Sequence, residues 1–261
     1  MRMKISHEVP TQLLELSRSF NDYDYALVHL FEINPDYYNF YVESLKQGRM
    51  VILDNSAYEL GKSFDVEKFY YWIDQLNPTW YIIPDDKKDL DNNNKLFEDW
   101  LSHKKPANSL SIGVVHGRDW DEFVENYKKV ASHCDVISIS MEDWFKDFHV
   151  SANSYQSFTW GRQEVIRNLS SAEILSKKPH HLLGCLLPQE FAYYKLLPNF
   201  NLQSIDTSNP VVHGILGIRY DEEGINCHSS VKLADLINTK LTLRQLRDVF
   251  HNIYMFRKIN L

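Results

Sequence analysis

The chain has 261 residues, with 28 Lys+Arg against 35 Asp+Glu and a formal net charge of −7. Hydrophobic residues are 44% and charged residues 24%, which excludes wholesale disorder, and nine Gly and nine Pro exclude collagen-like or low-complexity architecture. The acidic balance argues against a protein coated in basic surface and leaves room only for a local basic patch.

In chain order, short apolar runs alternate with amphipathic segments. The run Ala26–Leu30 is followed by a helical pattern over Asp36–Lys46, and Met50–Leu53 by one over Asp65–Leu76. Trp80–Pro84 precedes Asp89–His103, Ser111–Val115 precedes Asp119–Ser132, and Val136–Ser140 precedes Gln163–Ser176. His181–Leu186 leads to Pro188–Leu197, then come the runs Leu202–Ile205 and Val211–Ile218 and a closing helix over Thr242–Arg257. Thr242 with Gln245 three residues on forms a capping box, and the acidic residues opening several helices suit their N-terminal dipoles. The runs are near-continuous rather than alternating, as in strands buried on both faces of a parallel sheet. Eight such runs with interleaved helices predict an α/β fold, a (β/α)8 TIM barrel in a single domain over residues 1–261, with a doubly wound open sheet as the competing architecture.

Cys134, Cys185 and Cys227 are widely spaced and odd in number, so neither a disulfide framework nor a Cys-rich zinc site is expected. The expected home is a reducing cytoplasm. The start has no signal-peptide pattern, and no run of about 18 apolar residues exists, so no membrane association is expected.

Barrel chemistry sits at the C-terminal ends of strands, and there this sequence is polar. The second run ends in Asp54, Asn55 and Ser56, the third in Asp85 and Asp86, the fourth in His116 and Gly117, and the seventh in Asp206, Thr207 and Ser208. Any one Asp there can simply cap the next helix, and His116 can be a satisfied near-core histidine. Several carboxylates in one mouth are costly to bury unless they bind something, so the set is expected to converge on one site. No Gly-rich phosphate cradle and no GxSxG elbow occurs. The adjacent His180 and His181 would point to opposite faces of a strand and make a poor chelate.

In this order the rim segments resemble the tRNA-guanine transglycosylase superfamily. DNSAYELG looks like that family's DSGG[FY]Q segment, and IIPDD like its strand ending in a base-reading Asp. GVVHG is similar to its VQG segment, LLGC to its LLG strand, and SIDTSNP to its FDCVxPTR segment. The resemblance implies Asp206 as nucleophile on the anomeric carbon and Asp54 as general acid/base. It also implies Asp85 on the purine edge, His116 in the base-reading position usually held by Gln, and Asn55, Ser56 and Gly117 lining the pocket. Ser56-Ala57 replaces the family's Gly-Gly, and its clustered zinc ligands have no counterpart, so no metal and no cofactor is expected. The chain looks most like short phage members that insert 7-deazaguanines into DNA. The implied partners are therefore DNA, or tRNA, and a 7-deazaguanine base. Lys87, Lys88, Arg118 and Arg219 follow the strand ends and are the expected contacts to nucleic acid. Two other readings remain open. One is a metal-dependent barrel hydrolase using Asp54, Asp85, His116, Asp206 and His213, and the other is a non-catalytic nucleic-acid-binding relative.

Overall fold

The computed structural model describes residues 2–260. Eight parallel strands stand in the order β1-β8-β7-β6-β5-β4-β3-β2. They are β1 (Lys4–His7), β2 (Asp24–Leu27), β3 (Val51–Asp54), β4 (Trp80–Ile82), β5 (Leu110–Val115), β6 (Val136–Ile139), β7 (His180–Leu182) and β8 (Leu202–Thr207). Helices alternate with them: α1 (Leu14–Ser17), α2 (Pro35–Lys46), α3 (Ala57–Leu60), α4 (Val66–Leu76) and α5 (Leu90–Ser102) in the first half. The second half holds α6 (Trp120–His133), α7 (Ser154–Ser171), α8 (Glu190–Tyr194), α9 (Asn209–Ile215) and α10 (Leu243–Asn260). This is a nearly closed (β/α)8 TIM barrel. No helix of the described residues is long and apolar enough to cross a membrane.

The one seam without a strand ladder lies between β1 and β2, and the residues entering β2 stitch it. The Asp22 amide donates to Ile5 O at 3.0 Å, and Asp22 Oδ2 accepts from the Ile5 amide at 2.9 Å. Asn21 pairs both ways with the backbone of His7, at 2.7 and 2.9 Å. Tyr23 reaches across to donate to Ile205 O at 2.7 Å. One backbone bond and several side-chain bonds thus replace the ladder, which keeps buried backbone groups paired.

Acidic residues start the outer helices as expected. Asp65, Asp89 and Asp119 each accept a backbone N–H of the first turn at 3.0 Å. The Thr242–Gln245 capping box is formed, with the Thr242 amide donating to Gln245 Oε1 at 3.0 Å. Gly161 allows α7 to cross its neighbour, since a Cβ there would lie 1.9 Å from Phe145 O.

Two strand assignments need correction. The run Val211–Ile218 is not a strand, because its first half forms helix α9, in which all seven residues are buried. A helix buried on every side reads as a continuous apolar run, and short runs of this kind do not separate strand from helix. The true first strand, Lys4–His7, carries Lys4, Ser6 and His7 and has no apolar run to betray it. The count of eight therefore survives two compensating errors. Helix α7 also begins nine residues before the expected Gln163. Asn153 caps it, and left-handed Glu173 ends it before Ser176.

Candidate active site at the barrel mouth

Asp54, Asp85, His116 and Asp206 all lie at the C-terminal end of the barrel, on or just after β3, β4, β5 and β8. They fall into two groups.

The first is a wall of alternating charge. His116, whose side chain is 2% exposed, places Nε2 2.6 Å from Asp85 Oδ2 and Nδ1 2.8 Å from Glu142 Oε1. Asn55 Nδ2 donates to Asp85 Oδ1 at 2.5 Å and to Ile83 O at 2.7 Å, and Ser140 Oγ donates to Glu142 Oε1 at 2.9 Å. Burial alone would make His116 a weaker base, but hydrogen bonds and charge from Asp85 and Glu142 outweigh it and push the imidazole up to about 9. His116 is therefore an imidazolium at neutral pH, with both N–H groups committed to carboxylates. The imidazolium therefore presents no free N–H, and the polar atoms left to this wall are the carboxylate oxygens. Gly117 serves the same turn by packing, since a Cβ there would come within 2.5 Å of the Phe123 backbone.

The second group holds Asp54 and Asp206. Asp54 Oδ2 accepts from Tyr25 Oη at 2.8 Å, and Oδ1 accepts from the Ser56 amide at 2.9 Å. Ser56 itself sits in the left-handed region, at φ 60. Burial, then the charge of Glu59, push the Asp54 carboxyl well above the ordinary carboxylate range, against the opposing bonds from Ser56 and Tyr25. Asp206 Oδ1 lies 3.1 Å from His181 Nε2 and accepts from the Gly184 amide at 3.4 Å. Among the described residues no hydrogen bond ends on Asp206 Oδ2. Neighbouring Glu59 is pushed up to about 7 by burial and by Asp206, against Lys232, and Glu8 is raised by burial and by Asp206, Glu59 and Asp54.

Several of these groups escaped sequence reasoning. Glu8 follows the strand that was not recognised, and Glu142 lies two residues beyond the rim position Ser140. Of the His180-His181 pair, one faces out to Tyr127 Oη at 2.8 Å and the other faces in to Ser204 Oγ at 2.9 Å and Asp206, the opposite-face arrangement expected of a strand.

The cations expected to meet nucleic acid divide. Lys87, Lys88 and Arg118 line an open groove of about 590 Å³ beside the charged wall, together with Lys146. Asp89, Asp91, Glu142, Asp143 and Asp147 line it too, so its four cations meet five carboxylates. Lys87 Nζ donates to Met141 O, and Arg118 is paired with Glu122. Arg219 does not follow a strand as expected. It comes after α9 and pairs with Asp248 on α10 at 3.2 Å. His213 is buried in α9, with Nδ1 3.0 Å from Tyr220 Oη and Nε2 accepting from the Ser229 amide at 3.1 Å. It stands apart from the mouth carboxylates in its contacts. Among the described residues no three His, Cys, Asp or Glu side chains are arranged to hold a metal ion.

No family model and no curated protein matches the chain. Among solved structures it is similar to N-(5'-phosphoribosyl)anthranilate isomerase from Pyrococcus furiosus, at 10% identity over 98% of each chain and a TM-score of 0.45. The barrel itself is a fold typically used by enzymes, with the site at the mouth described here.

Proposed function

We propose that this protein is a glycosyltransferase that exchanges guanine in nucleic acid, DNA in the first instance and tRNA in the second, for a 7-deazaguanine. The observation that carries the reading is the contrast between the two mouth carboxylates. Asp54 is held towards its protonated form, whereas Asp206 has one oxygen bonded by His181 and Gly184 and the other free. Two carboxylates in different environments suit an acid and a nucleophile.

In this reading Asp206 Oδ2 attacks the anomeric carbon, the glycosidic C–N bond breaks, and Asp54 gives its proton to the outgoing base. The ester so formed is then opened by the ring nitrogen of the incoming base, whose proton returns to Asp54. Nothing is oxidised or reduced, and no metal takes part. Asp85 and Glu142 offer acceptors to the N–H groups on the guanine edge, and His116 holds the two acids together. The target nucleotide must leave the stack to reach such a mouth. Lys87, Lys88 and Arg118 line the groove beside it and are the proposed contacts to the strand.

The test is incubation with guanine-containing DNA or tRNA in the absence of an incoming base. An adduct surviving denaturing electrophoresis is expected, and it should vanish in Asp206→Asn. Nucleoside analysis after adding a 7-deazaguanine should find it incorporated. Failure of both DNA and tRNA to give adduct or exchange would discard the proposal.

A further inference from the structure

Arg162 of α7 and Glu190 of α8 form an ion pair with both side chains 0% exposed, Nε to Oε1 at 2.6 Å and Nη2 to Oε2 at 2.8 Å. A buried pair of this kind is weak ground for stability, since an apolar replacement often serves as well. What distinguishes it is what else the guanidinium holds. Nη1 donates to Leu183 O at 2.9 Å and to Ile139 O at 3.4 Å, and Nη2 donates to Gly184 O at 3.0 Å. These carbonyls lie just past β7 and at the end of β6.

Leu183 O and the Gly184 N–H belong to one planar peptide unit and point in opposite directions. Arg162 pulling the carbonyl outward therefore aims the N–H inward, where it donates to Asp206 Oδ1. Gly184 has φ +65, and a Cβ there would meet nothing within 4 Å, so glycine is needed for the backbone conformation and not for space.

We infer that Arg162 is a positioning residue that fixes the Leu183–Gly184 peptide and, through its N–H, the orientation of Asp206. The inference rests on Asp206 being the nucleophile, but its structural half can be read without activity. Arg162→Lys keeps a positive charge beside Glu190 and loses the fork that holds the carbonyls. Turnover should fall about 10–100-fold, as for one hydrogen bond to a charged group, with KM little changed. The Gly184 amide should exchange with solvent faster in Arg162→Lys than in the parent protein. Tyr127→Phe, which removes bonds to His180 and to the Ser176 amide on the outward face of β7, serves as the comparison for stability alone and should lower Tm without the drop in kcat.

If Arg162→Lys does not fold, Gly184→Ala strains the same peptide without a clash and should show the same split between kcat and KM. Unchanged Gly184 exchange in the variants, or a matching kcat loss in Tyr127→Phe, would overturn the inference. Altered exchange with no base transfer in any form of the protein would leave the clamp standing and sink the glycosyltransferase reading instead.

Discussion

The Tyr25 hydroxyl donates to Asp54 Oδ2 at 2.8 Å while the same ring stacks on His181, with centroids 6.2 Å apart and planes at 16°. One side chain thus touches both the proposed acid and the histidine that binds the proposed nucleophile. Its bond to Asp54 favours the ionised carboxyl and opposes the burial that raises it. Tyr25→Phe should therefore raise Asp54 further and shift the alkaline limb of the pH–rate profile upward. One hydrogen bond is worth about 0.5–1.5 kcal/mol, so the shift should be about one pH unit or less. A limb that stays put or moves down would show that Asp54 is not the titrating acid.

His116 supplies a pH signature in stability. It rises from 6.5 to about 9 in the folded protein. A folded value above the unfolded one means that the stabilisation is complete below pH 6.5 and is lost as pH climbs through 9. The rise corresponds to about 3 kcal/mol. His116→Gln should be less stable than the parent by a gap of that order at pH 6, and the gap should close by pH 10. Denaturant midpoints across that range measure it. A gap that widens with pH would place the charge on the wrong partner.

Glu59 gives the same sign of pH dependence for a different reason, because burial disfavours its ionised form. Its carboxyl goes from 4.5 to about 7, and Oε2 is buried without a hydrogen-bond partner. The folded protein keeps this proton where the unfolded chain has released it, so stability is lost as pH rises from 4.5 through 7. Glu59→Gln, which cannot ionise, should match the parent at pH 4.5 and exceed it at pH 8 by about 1–3 kcal/mol. Tm at the two pH values decides it, and a variant less stable than the parent at pH 8 would refute the assignment.

Much of this arrangement was legible in the sequence. Helices opened by Asp65, Asp89, Asp119 and Thr242 were read correctly because capping is a local interaction between a side chain and its own first turn. Strands β3 to β8 were readable because barrel strands, buried on both faces, are apolar without alternation. The position of Asp54, Asp85, His116 and Asp206 at the barrel mouth was legible because each closes or follows such a run. What the pattern cannot carry is pairing across the barrel. Glu142 and His181 become visible only when β5 is laddered to β6 and β7 to β8, since their partners are 26 and 25 residues away. Strand β1 was lost because three of its four residues are polar, and α9 was mistaken because burial on all sides erases helical periodicity.

Asp54 can be separated from Asp206 by the leaving group. If Asp54 protonates the outgoing base, Asp54→Asn should slow exchange of guanine by about 10²–10⁴-fold, the range for loss of a general acid. Asp206 remains, so a denaturation-resistant adduct should still form slowly. A 7-methylguanine, already cationic, departs as a neutral base and needs no proton from the enzyme. DNA carrying it should give adduct with Asp54→Asn at a rate approaching that of the parent protein on the same substrate. Asp206→Asn should give none with either base, because an amide lacks the nucleophilic oxygen whatever leaves. Single-turnover adduct formation with the two substrates, for the parent protein and the two variants, provides the rates needed. An Asp54→Asn defect equal for guanine and 7-methylguanine would mean that Asp54 organises the site and does not move the proton.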